Sequence, residues 1–379
     1  MAPPGPNELS IVDISLLPSI LGVDGMPKGP CKRGTGLKNA KGNLIGARDK
    51  QQHAEARRVW NRAFGSASIK TYEPIVIRHT AQLVDELKKN FDFMGDFAFG
   101  ESFDLLQNGD KSGLVHMMEE GLYLPSLMQH IPWCSEAFVM FPFFGKQMRR
   151  LGEFSFHQVS KRLREGSIRD DLFYHLNAET QQDGAGPPPL SVTVSNSVTA
   201  IVAGSDTTAS ALSNALYYIL SHPPCYARLQ AEVNATFPIE NGEPTDSAKL
   251  AQMEYLDAVI IFVPEGTAIH VPPFLYHRDP RYFSPDPDRF WPERWLSRAD
   301  ADVVLNTSAF IPFSMGPANC VGRPLALIEI RMVLAYMLQT FDIRFVSGFE
   351  PRVYEEQLQD LLVTRRGALP VTLTLRAGR

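Results

Sequence analysis

"PFSMGPANCVGRPLA", Pro312 to Ala326, decides how this chain reads. It sets one of only four cysteines, Cys320, in a run of small turn-forming residues. A helix-like stretch, "PLALIEIRMVLAYML", follows at once. Phe313, Gly316, Cys320 and Gly322 are spaced F-x-x-G-x-x-x-C-x-G. The two glycines permit backbone conformations and close approaches that a Cβ forbids. N–H groups at a helix start stabilise a thiolate, and the helix dipole lowers its pKa. Such a thiolate suits an iron ligand or a nucleophile. Taken alone, the cysteine equally reads as an inert buried thiol on a helix-initial turn.

The other cysteines, Cys31, Cys134 and Cys225, are far apart and form no C-x-x-C pair. That argues against a disulfide framework and against a clustered zinc site. The chain has 379 residues, 44% of them hydrophobic and 21% charged, an ordinary globular balance with ample material for a large core. Its net charge of -5 disfavours nucleic acid as a partner, because phosphate binding wants a basic surface. No basic leader runs into a continuous apolar segment, and no window approaches the roughly 20 apolar residues that span a bilayer. The expectation is a chain without a transmembrane anchor.

Helical periodicity begins near Asp49, in "HAEARRVWNRAF" and "YEPIVIRHTAQLVDELKKNF". A short strand is expected at Glu8–Val12, a loop with a short helix over 91–106, and two or three short helices over 117–159. "DGAGPPPL", Asp183 to Leu190, reads as a surface linker. A long proline-free helix follows from Ser191 to Leu220, apolar on more than one face and so buried. "SHPP" ends it and starts the next helix. "LAQMEYLDAVII" reads as one further short helix, and "VPEGTAIHV" as a strand and turn. Residues 278–312 form an irregular meander. A last helix from about Gly322 to Thr340 leads to closing strands in "FDIRFV" and "LPVTLTLRA". The fold class is mainly α with a minor β part. There is no G-x-G-x-x-G, no G-x-x-x-x-G-K-[ST] and no G-x-S-x-G, which weakens nucleotide and acyl-transfer readings.

"AGSDTT", Ala203 to Thr208, lies in the middle of the long helix. Asp206 and Thr207 put an acid and a hydroxyl side by side. The bland reading is a close helix contact with Ser and Thr hydroxyls bonding back to the preceding turn.

Together these segments resemble the cytochrome P450 family. The cysteine loop resembles its haem-binding loop, and Ala203, Gly204, Asp206, Thr207 and Thr208 match its [AG]-G-x-[DE]-T-T distal motif. Pro292-Glu293-Arg294-Trp295 resembles its PERF-type motif. His53 and Arg57 match a helix whose basic residues hold haem propionates, although a solvated basic face explains them as well. The likeness runs nearly end to end and is nearest to fungal microsomal-type members of secondary metabolism.

The resemblance implies a single incomplete P450-like domain over 1–379 that binds haem b, iron protoporphyrin IX. Cys320 would be the axial iron ligand, with Phe313, Gly316 and Gly322 shaping its loop. His53 and Arg57 would hold propionates, Ala203 and Gly204 would line the oxygen side, and Asp206 and Thr207 would carry protons. The implied partners are dioxygen, a small hydrophobic substrate and an NADPH-cytochrome P450 reductase. The implied location is cytoplasmic or peripheral at the endoplasmic reticulum, with a longer parent form anchored there.

Three departures stand out. Ala318 occupies a position that is usually basic. The resemblance also leads one to expect that the family's N-terminal anchor and first strands are absent. "YLDAVI" runs directly into "IFVPEGT", so the E-x-x-R segment expected there is missing, which marks an internal deletion near 260–263. Arg294 is expected to lose the carboxylate of its buried lock, with Glu254 or Asp257 as substitutes. The missing block is attributed to splicing, a misplaced exon boundary or degeneration. Two other function classes follow: a P450-like protein with impaired haem binding and no catalysis, and a haem-thiolate isomerase or dehydratase. The Asp206–Thr207 pair favours oxygen activation over the latter.

Overall fold

The computed structural model describes residues 12–28, 44–87, 113, 117, 120–121, 126, 146–165, 171–176, 188–238, 242–261, 273–296, 303–360 and 364–376. The described residues are mostly helical, as the sequence leads one to expect. The helices used below are α1 (Leu17–Leu21), α2 (Lys50–Ala63), α3 (Ser66–Leu87), α4 (Lys146–Glu165) and α5 (Leu190–Ser221). They continue with α6 (Pro223–Thr236), α7 (Ser247–Leu250), α8 (Glu254–Ile261), α9 (Pro273–His277), α10 (Arg323–Thr340) and α11 (Arg352–Glu356).

Helix α10 is the centre of the molecule. Every residue from Met332 to Thr340 is buried. It packs against α3, α5, α6, α7 and α8 in one large hydrophobic core. One polar member of that run, Gln339, donates from Nε2 to Phe237 O at 2.7 Å and Gly242 O at 2.6 Å, which removes the cost of burying an amide.

Helix α5 runs 32 residues with no internal proline. Its many hydroxyls do not disrupt it because they bond back one turn. Ser197 donates to Thr193 O, Thr199 to Ser195 O, Ser205 to Ile201 O and Ser213 to Ala209 O, at 2.7–2.9 Å. Thus satisfied, they can be buried on several faces. Pro223 and Pro224 cannot continue α5, and α6 begins with proline in its first turn. His222 precedes it without a side-chain cap bond.

The strands form three antiparallel pairs among the described residues. β1 (Phe283–Ser284) pairs with β2 (Val304–Leu305), and β4 (Gln359–Asp360) with β5 (Thr364–Arg365). β3 (Phe341–Phe345) pairs with β6 (Val371–Leu375), from Phe341 opposite Leu375 to Phe345 opposite Val371. The two closing strands are therefore where the sequence placed them.

"LAQMEYLDAVII" holds the expected short helix as α8, from Glu254, while its first residue, Leu250, ends a separate short helix, α7. Asp246 caps α7 by accepting from Ala248 N and Lys249 N. Glu232, on α6, caps α8 by accepting from Tyr255 N and Leu256 N, each at 2.8 Å. Most of 117–159 lies outside the described residues, but its end is a single long helix, α4. The expected strand at 8–12, apart from Val12, the segment 91–106, most of the 183–190 linker and the strand-turn at 263–271 also lie outside them.

Candidate active site

Cys320 sits three residues ahead of α10 on an irregular loop. Its backbone N–H donates to Phe313 O at 2.8 Å, closing the loop on itself. A 3-10 turn, Gly316–Ala318, fills the interval. Gly316 has φ +69°, and a Cβ there would lie 1.9 Å from Leu21 O of α1. Only glycine fits both the left-handed backbone and that approach. The cysteine loop is thereby docked on α1.

Gly322 is different. Its φ is -78°, and a Cβ would meet Cys320 Sγ at 3.9 Å and Phe64 Cε1 at 3.8 Å, which is ordinary contact. The second glycine is thus not required by the backbone of the protein itself. Phe313 lies against Arg323, whose guanidinium carbon is 5.6 Å from the ring centroid.

Cys320 is exposed and in no disulfide. The thiol is therefore not enclosed by the described residues. Arg57, on α2, reaches across to the loop. Its Nη2 donates to Asn319 Oδ1 at 2.5 Å and its Nη1 to Asn319 O. Burial pulls the Arg57 pKa down, and the neighbouring Cys320 sulfur pulls it back up. His53 lies one turn earlier on α2 and is buried. Burial lowers its pKa first, and the Lys28 and Arg57 cations lower it further, so its ring is neutral at neutral pH. Lys28 Nζ is held by Leu44 O at 2.9 Å and Ile45 O at 3.1 Å. An exposed thiol therefore stands beside Arg57, and Arg57 and Lys28 in turn lie near His53. A soft sulfur ligand with cations alongside fits a haem, whose iron takes a thiolate and whose carboxylates take cations. The structure sets the expected His53 and Arg57 on one helix and brings Lys28 and Asn319 near them, residues that lie outside any recognisable motif.

The other expected residues lie on α5. Asp206 is mostly buried, and its carboxylate meets Arg366 Nη1 at 3.4 Å. The Thr207 hydroxyl donates to Ala203 O at 2.6 Å, the back-bond of the bland reading. Thr208 is buried. Ala203 is exposed and Gly204 half-buried on the same turn.

Arg294, in the 3-10 turn Pro292–Trp295, is only 2% exposed. Its Nη2 donates to Pro285 O at 2.6 Å and Asp286 O at 2.8 Å. Its Nε and Nη1 are buried and have no hydrogen-bond partner among the described residues. Neither proposed substitute reaches it. Glu254 is exposed, and Asp257 instead forms a two-pronged pair with Arg331 of α10, at 2.6 and 2.9 Å. The adjacent Glu293 accepts from Arg228 at 3.1 Å and from the Tyr255 hydroxyl at 2.9 Å.

Comparison with known proteins bears on the whole arrangement. The cytochrome P450 family model matches residues 21–261 and 261–370. A cytochrome P450 monooxygenase of Eupenicillium brefeldianum is 30% identical over 390 residues, covering 91% of this chain and 77% of the relative. The cytochrome P450 monooxygenase FCK2 of Fusarium pseudograminearum is 27% identical over 419 residues, with 98% and 74% covered. Tryprostatin B 6-hydroxylase of Neosartorya fischeri is 27% identical over 422, with 98% and 75% covered. These alignments are longer than the 379 residues of the chain, so within the matched span the relatives carry residues it lacks. With a glycine-docked thiol ahead of its central helix and a family match over most of its length, the chain belongs to the cytochrome P450 family.

Proposed function

We propose that this P450-type oxidoreductase oxidises a small hydrophobic organic molecule with dioxygen and electrons from an NADPH-dependent flavoprotein reductase. The observation that carries the reading is the exposed Cys320 thiol on its docked glycine turn, with Arg57 and His53 alongside. Haem, when bound, supplies the iron at which dioxygen is activated. Cys320 would hold that iron as a thiolate, and the N-terminus of α10 stabilises the charge on its sulfur. Arg57, Lys28 and His53 would hold the haem carboxylates, the first two as cations and the neutral imidazole as a hydrogen-bond donor. Arg57 already engages Asn319, so it fixes the loop as well as the cofactor. On α5, Asp206 holds and releases protons, and Thr207 passes them by letting go of Ala203 O. Supplying the haem-loaded chain with reductase and isotopically labelled dioxygen tests this. One labelled oxygen atom per product molecule is expected, and label found only in water would exclude monooxygenation.

A second reading is favoured by Arg294 and by the division of the family match at residue 261. In it the chain has lost an internal block after α8, and the loop that carries Cys320 is weakly supported from behind. This form would bind haem poorly and turn over little. Inserting after Ile261 the block that the relatives carry is expected to raise haem uptake. Equal uptake with and without the insertion would dismiss this second reading.

A further inference from the structure

Arg366 follows β5 directly and lies over the middle of α5. Its Nη1 donates to Ser210 Oγ at 2.7 Å and reaches Asp206 Oδ1 at 3.4 Å. One nitrogen thus spans a full turn of the helix. The Ser210 hydroxyl donates onward to Thr364 O at 3.2 Å, which fixes its lone pairs toward Arg366. Further along the same stripe of α5, Asn214 Oδ1 accepts from the Tyr354 hydroxyl at 3.0 Å, and Tyr217 stacks on Tyr354 with ring centroids 4.8 Å apart. Asp206, Ser210, Asn214 and Tyr217 follow one face of the helix at intervals of four, four and three. Tyr354, Thr364 and Arg366, from the C-terminal part of the chain, contact that face. The Arg366–Asp206 contact is therefore the end of a docked surface and not a chance pair of exposed charges. Both side chains are largely shielded from solvent, where an ion pair is screened less than at the surface.

We propose that Arg366 is a positioning residue for Asp206. It holds the carboxylate from the C-terminal hairpin and so sets where the Asp206 proton is delivered. The proposal rests on the monooxygenase reading for what that proton does. The Thr207 hydroxyl beside it is tied to Ala203 O, so the carboxylate is the member of the pair whose orientation a neighbour can set. A guanidinium suits the task because its charge is permanent and one of its nitrogens can face a hydroxyl and a carboxylate at once.

Carboxylate labelling with a carbodiimide and a neutral amine, read by peptide mass spectrometry on the folded full chain, tests the clamp without haem. Arg366→Met is expected to speed labelling of Asp206 several-fold while leaving Asp257 unchanged, and Arg366→Lys to return it toward the wild-type rate. In the haem-loaded chain, the solvent deuterium isotope effect on reductase-driven oxygen consumption is expected to rise in Arg366→Met and fall back in Arg366→Lys. An unchanged Asp206 labelling rate, a rise shared with Asp257, or no rescue by lysine overturns the proposal. So does an isotope effect that stays at the wild-type value while labelling changes, because the contact is then structural only. A chain that takes up no haem overturns the monooxygenase reading instead, and the labelling result still decides the clamp.

Discussion

Arg294 shows at the level of one side chain what the chain lacks. Two of its nitrogens are buried without a hydrogen-bond partner among the described residues, and two carbonyls and the Trp291 ring, 5.1 Å from its guanidinium carbon, offset only part of the desolvation. Burial accordingly lowers its pKa. The two carbonyls it does bind belong to Pro285 and Asp286, which are exposed and can turn to water instead. Arg294→Met should therefore be neutral or stabilising, by up to about 2 kcal/mol, in urea unfolding. An arginine with its carboxylate in place would lose stability on the same change. Glu329, on α10, is the second unusual charge. It is half-buried, and desolvation raises its carboxyl to about 8. The native state thus holds a proton that the unfolded chain releases near 4.5. Stability should fall as pH rises from about 4.5 to about 8, and Glu329→Gln should remove that fall. Thermal unfolding at pH 5 and pH 8 checks this. The substitution should stabilise by on the order of 3 kcal/mol more at pH 8 than at pH 5.

Among the elements, α8 and α10 are joined by the two-pronged Asp257–Arg331 pair. The pair is partly exposed, so a double-mutant cycle with Asp257→Asn and Arg331→Met should give a coupling of about 1 kcal/mol. A coupling near zero would mean that core packing alone holds the two helices together. The helices were largely legible in the sequence because their apolar spacing and prolines act locally. Leu190–Ser221 and Arg323–Thr340 could be read almost to the residue. The split between α7 and α8 could not, because its cap comes from Glu232 on another helix. The site was legible in the same uneven way. Cys320 and Gly316 belong to a spaced motif whose geometry is local. Asn319, Lys28 and Arg366 do their work through contacts between distant segments, which no periodicity records. Gly322 was read as a steric necessity, yet its neighbours leave room for a Cβ.

Taken as a whole, the molecule is a central helix, α10, wrapped by α3, α5, α6, α7 and α8, with the cysteine loop docked on α1 at its head. That framework is intact among the described residues, while Arg294 keeps two buried nitrogens without a hydrogen-bond partner among them. The two facts set the question for the whole protein: whether Cys320 can hold haem iron with its loop supported this way. The direct measurement is the absorption spectrum of the full chain, expressed with haem supply, reduced and exposed to carbon monoxide. Thiolate ligation by Cys320 predicts a strongly red-shifted Soret band in the wild-type chain, lost in Cys320→His with haem still bound. A wild-type chain that takes up no haem, or shows the same unshifted band as Cys320→His, contradicts the account.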